Sequence, residues 1–216
     1  MKKLIVLWGV LLLCGCSSRI SIEQQVLEEL EHQQSAAGVT FTNMDKRYYS
    51  YYLPKDVGRI FSDELSSVLI KDNTRFTMSL ETSKLIVSDY YHDPHARVVP
   101  EKASLVSSEE GVMRFNGWYK DFEGNHQKYD LTVSDFGKAY LMRLEAGNFD
   151  FYSIVTRANM NSLLSSFFTI VRSSRVDDEL VINDFSLQNE RNRNGDEVMN
   201  EEIVPEEGAI KDLVGK

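Results

Sequence analysis

Residues 112–156 read VMRFNGWYKDFEGNHQKYDLTVSDFGKAYLMRLEAGNFDFYSIVT, and this stretch decides the fold. It contains four runs in which apolar and polar residues alternate, separated by short segments that contain Gly. Alternation with a period of two is typical of half-buried strands, and short Gly-containing loops between such runs are typical of hairpins. The pattern therefore predicts an antiparallel four-strand meander, with strands at 112–120, 127–133, 139–144 and 149–156.

The hydrophobic period then changes from two to that of a helix. Residues 160–174 are expected to form an amphipathic helix, capped by Asn159 or Asn161, with a broad apolar face. That face consists of Leu163, Leu164, Phe167, Phe168, Ile170 and Val171. Asp177 and Asp178 would oppose the dipole at a helix C-terminus, so the helix should end before them. Because such a helix can bury one face of an antiparallel sheet, the predicted fold class is α+β.

Other short runs rich in β-branched and aromatic residues predict further strands. These lie at 48–53, 68–70, 75–80, 85–91 and 180–182. Strands and helices do not alternate, and no internal repeat is visible, so a Rossmann or TIM-barrel fold is not expected. The globular part is predicted as a single domain.

The YYSYYLP segment at 48–54, the meander, the FDFYSIVTRAN segment at 149–159 and the following helix resemble the layout of the PsbP-like fold. This resemblance implies an assembly or accessory factor rather than an enzyme. Alternation places Tyr48 and Tyr52 on one face of their strand and Tyr49 and Tyr51 on the other, so one pair is expected in the core. The exposed pair would either pack against side chains of a neighbouring strand or form a platform that binds a glycan or a partner. The same two interpretations apply to Trp118 and Tyr119.

The first sixteen residues, MKKLIVLWGVLLLCGC, are typical of a bacterial export signal. Lys2 and Lys3 precede an apolar run at 4–13, which is too short for the roughly 20 residues that span a bilayer. The run ends in Leu13-Cys14-Gly15-Cys16 and resembles the lipobox of bacterial lipoproteins, although Cys14 is less usual there than Ala, Ser or Thr. The resemblance implies cleavage before Cys16 and a diacylglycerol thioether on Cys16.

Lipidation of Cys16 would account for every cysteine of the mature chain. The sequence has two cysteines, and Cys14 would leave with the leader. The mature protein would then have no Cys nucleophile, no disulfide and no thiolate zinc site. Because one acyl chain binds a membrane only marginally, two or three chains on Cys16 would be needed for durable anchoring. The alternatives are a secreted protein cut elsewhere or an uncleaved apolar N-terminus.

The net charge is acidic. The chain has 24 Lys and Arg against 33 Asp and Glu, a net charge of −9, and loss of the leader makes it −11. An acidic surface is a poor match for nucleic acid or anionic lipid, so no nucleic-acid partner is expected and membrane retention would depend on the lipid. Ser17 occupies the position directly after Cys16. In some lipoproteins an Asp at this position retains the protein in the inner membrane. The expected location is therefore the outer membrane of a two-membrane cell or the outer face of a single one.

The predicted organisation is a leader at 1–15, a lipidated tether at 16–40, one domain at 41–188 and an acidic disordered tail at 189–216. Ser21 has N-cap spacing to Gln24. The residues that follow place Ile22, Val26, Leu27 and Leu30 on one helical face. This short helix is open to three interpretations: a partly ordered spacer, a helix docked on the domain, or a partner-binding element. The tail has eight acidic and four basic residues and no aromatics, which favours disorder.

Several patterns that suggest chemistry are weak. His92 and His95 flank Asp93-Pro94, but no third His is near in sequence, so a solvated loop is favoured over a metal site. Residues 190–201 match parts of a calcium loop, yet they begin with Glu, and Arg191 and Arg193 add positive charge between the ligand positions. No metal or cofactor is predicted.

The acidic pairs Glu109-Glu110 and Asp177-Asp178 are expected in solvated turns. Ser165 and Ser166 lie in the predicted amphipathic helix and need no nucleophile role, and common catalytic motifs such as GxSxG, SxxK, HExxH and Walker loops are absent. The favoured function is a non-enzymatic envelope lipoprotein that binds another protein, as an accessory or assembly factor of a surface complex. A ligand- or glycan-binding lipoprotein with a pocket between sheet and loops is the alternative, and an unrecognised hydrolase is third.

Overall fold

The computed structural model describes residues 20–90 and 102–186. The leader, Cys16, the loop with His92 and His95, the calcium-like segment at 190–201 and the acidic tail lie outside the described residues, so those expectations stay predictions. Throughout the two described ranges, no helix combines the length and the apolar character needed to cross a membrane.

The described elements alternate short hairpins with a few helices. In chain order they are α1 (Ile22–Ser35), β1 (Met44–Asp45), β2 (Tyr49–Tyr51), β3 (Gly58–Ser62), β4 (Ser66–Lys71), β5 (Thr74–Leu80), α2 (Thr82–Tyr90), β6 (Ser104–Glu109), β7 (Val112–Lys120), β8 (His126–Asp135), β9 (Tyr140–Ala146), β10 (Phe149–Val155), α3 (Met160–Ser173), β11 (Arg175–Val176) and α4 (178–186).

Eight of the strands form one antiparallel sheet in the order β3-β4-β5-β10-β9-β8-β7-β6. Within it, β7, β8, β9 and β10 pair in chain order, and every pair in the sheet is antiparallel. β1, β2 and β11 form a separate small sheet. The predicted α+β class with an antiparallel sheet and a C-terminal helix is confirmed.

Two strand predictions are wrong. A strand was predicted at 85–91. Instead, residues 82–90, which follow β5, form helix α2, and this helix buries Leu85. Residues 180–182 lie inside α4, because the Asp177 carboxylate accepts the Leu180 N–H at 3.0 Å and caps that helix. In both cases a short apolar run suits either structure, and periodicity alone does not separate them.

Helix α3 covers the inner face of the sheet, as expected. The Phe167 ring stacks on Phe151 with centroids 4.9 Å apart, and it also contacts Phe76 at 5.1 Å. Phe168 meets Tyr129 edge-on at 5.0 Å. Asn159 occupies the N-cap position, but its side chain makes no cap hydrogen bond and instead donates to Thr74 at 3.0 Å. Helix α3 is therefore held mainly by its apolar face.

The tyrosine-rich strand β2 lies against this core. Tyr49 and Tyr51 are buried, which confirms that one alternating pair enters the core. Tyr48 is buried as well, beneath Phe185 of α4, while Tyr52 is half-buried against Phe41. The four tyrosines at positions 48, 49, 51 and 52 therefore pack within the protein and do not form an open platform.

Helix α1 is docked on the domain. The Ser21 hydroxyl accepts the Gln24 N–H at 3.1 Å, which confirms the predicted N-cap. Val26 and Leu30 are fully buried, and the helix contacts α3 and β7. Of the three interpretations of this segment, the structure supports the docked helix.

Replacing Leu30 with alanine is expected to lower the free energy of unfolding by about 2 kcal/mol, because a fully buried side chain leaves a cavity between α1 and α3. Urea unfolding followed by circular dichroism measures the loss. The exposed neighbour Glu31→Ala is the control and should change stability by less than about 0.5 kcal/mol. Equal, small effects of both substitutions would mean that α1 is a spacer in solution.

Candidate functional site: the outer face of the sheet

The outer face of the large sheet carries the candidate site. Along β10, the inward side chains Phe149, Phe151 and Val155 alternate with Tyr152 and Ile154, which point outward. The antiparallel register places Ile154 opposite Leu141 and Tyr152 opposite Arg143. Because α1 and α3 contact the inner face, these outward side chains are left toward solvent.

An apolar depression occupies this outer face across β4, β5, β10 and β9. Its volume is about 580 Å³, and its lining includes Val68, Leu141, Tyr152 and Ile154. Ile154 is 55% exposed and Leu141 40% exposed, which is high for large aliphatic side chains on a sheet. The depression is shallow and open, so it presents a surface rather than an enclosed chamber.

A buried carboxylate lies beside the depression. The Asp150 side chain is 3% exposed although it points to the outer face. One of its oxygens accepts from Arg143 at 2.7 Å and from the Tyr152 hydroxyl at 3.2 Å, and the other accepts from Lys84 at 3.0 Å. Glu145 bridges the same two cations at 3.0 and 3.1 Å. Strands β9 and β10 supply the carboxylates, Arg143 and Tyr152, and α2 supplies Lys84.

The ion pairs decide the charge state of this cluster. Burial disfavours ionisation of Asp150, but its hydrogen bonds and charge interactions with Arg143 and Lys84 outweigh burial and hold its pKa below the ordinary value. The hydrogen bond from Arg143 to Asp150 raises the pKa of that guanidinium. The carboxylate is thus ionised and fully engaged at neutral pH, which suits a fixed structural anchor and not a proton-transfer group.

The ionic cluster also fixes the shape of the depression. The Arg143 guanidinium lies over the Tyr152 ring at 5.2 Å from its centroid, and the Tyr152 hydroxyl is held by Asp150. Tyr152 is therefore restrained at both its ring and its hydroxyl. A restrained aromatic side chain loses little further entropy when a partner packs against it.

The two edges of the sheet are less suited to adding a partner strand. β3 and β6 are the outer strands, and each contains an irregularity in its register, between Arg59 and Phe61 and between Leu105 and Ser107. Bulges of this kind disturb the ladder that an added strand would extend. The face of the sheet is therefore the better candidate than its edges.

Several residues in the described ranges were candidates for a functional role on sequence grounds. In the structure they make packing contacts or internal hydrogen bonds and do not come together in one site. Trp118 is half-buried and meets His126 edge-on at 4.4 Å, beside a cavity of about 500 Å³ that Lys102 and the end of α1 also line. Tyr119 is buried. The Ser166 hydroxyl accepts from Lys71 at 2.8 Å and donates to the Ser162 carbonyl at 3.1 Å, so it is an internal link.

The two acidic pairs lie on different elements of the fold. Glu109 ends β6 and Glu110 lies in the following turn, whereas Asp177 and Asp178 lie where α4 begins. Across the two described ranges, no three His, Cys, Asp or Glu residues are grouped as metal ligands.

Sequence reasoning missed the Asp150 cluster. A weak signal was present, since Asp150 stands between two phenylalanines in a strand whose other residues, apart from Ser153, are apolar or aromatic. Its main partners are distant or on another strand: Lys84 is 66 residues away. Nothing in local periodicity predicts that pairing.

Comparisons with known proteins do not identify the chain. No family model matches it, and no curated protein matches it. A crystal structure of a Bacteroides thetaiotaomicron protein at 1.50 Å resolution is similar at 13% sequence identity, with a TM-score of 0.25. This similarity covers 60% of the chain and 45% of the other protein, so the chain spans under half of that protein's length. A similarity this weak carries no argument about function.

Proposed function

We propose that this protein is a non-enzymatic envelope lipoprotein, anchored through Cys16, whose outer sheet face binds another protein in a surface complex. The observation that carries the proposal is the exposed apolar depression around Leu141, Tyr152 and Ile154. Contiguous apolar surface with a polar border is typical of protein interaction sites. The Asp150 cluster supplies such a border on one side.

The shape of the depression favours a protein over a small molecule. Small-molecule sites enclose most of the ligand surface, whereas this depression is open on the solvent side. It is concave, so it is suited to receive protruding apolar side chains, while insertion into a bilayer requires protruding side chains of its own. A partner surface with apolar side chains at its centre fits best.

The charge of the chain constrains the partner further. The net charge is −9 and becomes −11 when the leader is lost, so long-range attraction favours a partner whose surface is positively charged around the apolar centre. The same charge disfavours an anionic lipid surface. The partner is therefore expected to be a protein with a basic rim and an apolar centre.

Site-specific photo-crosslinking in cells tests this function. A photo-reactive amino acid at position 154 of the full-length chain should give a discrete adduct with a different protein. The same residue at position 106 is the matched control, since Val106 is also an exposed β-branched strand residue, 59% against 55% exposed, but lies on the outermost strand β6. That position should give no such adduct.

The variant Ile154→Asp should abolish capture of the crosslinked partner, while Val106→Asp should leave it unchanged. Both positions are exposed, so both variants should remain folded, as checked by their thermal unfolding. Adducts at position 154 with lipid alone, with a second copy of this chain alone, or with nothing would each contradict the proposed function.

A further inference from the structure

One end of the large sheet carries a second cavity. It lies where the β7–β8 and β9–β10 turns meet the C-terminal end of α3, and its volume is about 330 Å³. It shares no lining residue with the outer-face depression. Because small-molecule sites span about 300–1,000 Å³, this cavity suits a ligand with a single ring.

The cavity has an apolar floor and a polar rim. Phe149 and Val171 are buried and form part of the floor. Glu123, Asn125 and Asp178 line the same cavity and are exposed, so they lie at its mouth. An apolar surface with a few polar groups that orient the ligand is typical of small-molecule sites.

The Tyr119 hydroxyl is a polar group at the floor. Tyr119 is 2% exposed and lines the cavity. Its hydroxyl forms no hydrogen bond with a described residue, yet, unlike the Tyr129 hydroxyl, it is not sealed from solvent. A Cβ at Gly147, which also lines the cavity, would lie 2.8 Å from the Tyr119 oxygen, so the glycine leaves this hydroxyl clear. Since buried polar groups normally have a partner, this hydroxyl indicates a polar ligand.

The charge of the lining favours a cation. Among the described residues that line the cavity, Asp121, Glu123 and Asp178 are acidic and none is basic. The exposed Arg175 stacks on the Phe122 ring at 4.8 Å and is not part of the lining. Within the two described ranges, these carboxylates are not grouped as metal ligands, so an organic cation fits better than a metal ion.

Arg172 determines which end of the ligand is positive. This buried residue of α3 interacts electrostatically with Tyr119, and although burial lowers its pKa to about 10, it stays charged at neutral pH. Like charge therefore disfavours a cation at the floor. Burial raises the pKa of the Tyr119 hydroxyl, which keeps its proton and can pair with a neutral hydroxyl of the ligand. The amides of Gln127 and Asn148, also in the lining, suit further hydroxyls.

We propose that this cavity binds a small hydroxylated amine of the amino-sugar class. The ammonium group would lie at the rim against Glu123 and Asp178, a ligand hydroxyl would pair with Tyr119, and the ring would pack on Phe149 and Val171. The site is distinct from the outer-face partner site, and it does not depend on the proposed function.

Isothermal titration of the folded chain with glucosamine, at about pH 6 where the amino group is protonated, tests the site. Two matched ligands each lack one feature. Glucose has a hydroxyl in place of the amino group, and cyclohexylamine has a six-membered ring and the amino group without hydroxyls. Each should bind at least about tenfold more weakly than glucosamine, because each loses hydrogen bonds that the cavity is built to make.

Two variants separate the roles of the rim and the floor. Glu123→Gln should weaken glucosamine binding at least about threefold and leave glucose binding unchanged, because it removes only a negative charge. Tyr119→Phe should weaken the binding of both sugars about three- to tenfold, because it removes only a hydroxyl. Glu109→Gln, the same change at an exposed position at the other end of β7, is the matched control and should bind as the unmodified chain does.

Thermal unfolding of each variant checks that it is folded before titration. Equal affinity for glucosamine and glucose would overturn the proposal, as would cyclohexylamine binding as tightly as glucosamine. Absence of glucosamine binding would overturn it as well. An equal loss of affinity in Glu109→Gln and Glu123→Gln would show attraction to the acidic surface in general and would also contradict a site in this cavity.

Discussion

Replacing Phe167 with alanine is expected to lower the free energy of unfolding by about 4 kcal/mol, the largest effect foreseen for a single substitution in this protein. Phe167 is fully buried and joins α3 to two adjacent strands of the sheet, through Phe151 on β10 and Phe76 on β5. Its removal leaves a cavity at the centre of the helix–sheet interface. Neighbouring rings on paired strands cannot easily collapse into that space.

Urea unfolding at about 25 °C measures this loss. The midpoint should fall while the dependence of the free energy on urea concentration stays unchanged, because the fold is retained. The control is Phe136→Ala, the same substitution at a turn residue that is 66% exposed, with an expected change of less than about 0.5 kcal/mol. If both phenylalanine variants lose the same stability, α3 does not cover the sheet in solution.

The second large effect is expected when Asp150 loses both of its cations. The double variant Lys84→Met with Arg143→Met should lose about 3 kcal/mol at pH 7, because it leaves a buried carboxylate without a counter-charge. This loss is at the low end of the range for buried pairs, since Lys84 and Arg143 are 38% and 40% exposed and water screens them. Denaturant unfolding at pH 7 measures it.

The pH dependence of this loss has a defined sign. In the unmodified chain the pKa of Asp150 is lowered, so its contribution is present above about pH 4 and is lost as the pH falls through the folded-state pKa. In the double variant, burial without cations raises the pKa of Asp150, which favours the protonated form. The difference in stability between the two chains should therefore be largest at pH 7. It should start to shrink as the pH falls through the raised pKa of Asp150 in the variant, and shrink further below about pH 4, as the pH falls through the lowered pKa in the unmodified chain.

A matched control separates this effect from the simple loss of two charges. Arg114→Met with Lys128→Met removes the same residue types from exposed positions on the same face of the sheet. That double variant should change stability by less than about 1 kcal/mol, without the pH dependence. A loss of stability in the Lys84 and Arg143 variant that stays constant from about pH 7 to pH 3 would show that Asp150 is not the group responsible.

Local pattern predicts much of the fold. The alternation in residues 112–156 places strands within two residues of their observed ends, and the apolar spacing in residues 160–174 predicts α3. Both signals are local, because strand and helix periodicity act over a few consecutive residues. Hydrophobic periodicity fails to predict the structure at 85–91 and 180–182, because each run has too few apolar residues to distinguish the period of a strand from that of a helix.

The lipobox-like Leu13-Cys14-Gly15-Cys16 segment, the acidic net charge and the absence of common catalytic motifs are properties of the sequence itself. They lead to the expectation of a lipid-anchored binding protein, which the described residues leave as a proposal. The candidate sites, by contrast, were outside the reach of the sequence. Asp150 is one acidic residue among 33 until the fold brings Lys84 and Arg143 to it.

The amino-acid sequence thus determined by itself where most of the strands and the main helix form, because hydrophobic periodicity depends only on the order of neighbouring residues. Only the tertiary structure decided which charges are buried and whether they are paired. Arg172 meets Gln33 across 139 residues, and the exposed faces of Leu141 and Ile154 become neighbours through strand pairing. Burial and long-range pairing are set by how the elements pack, so no local pattern contains them.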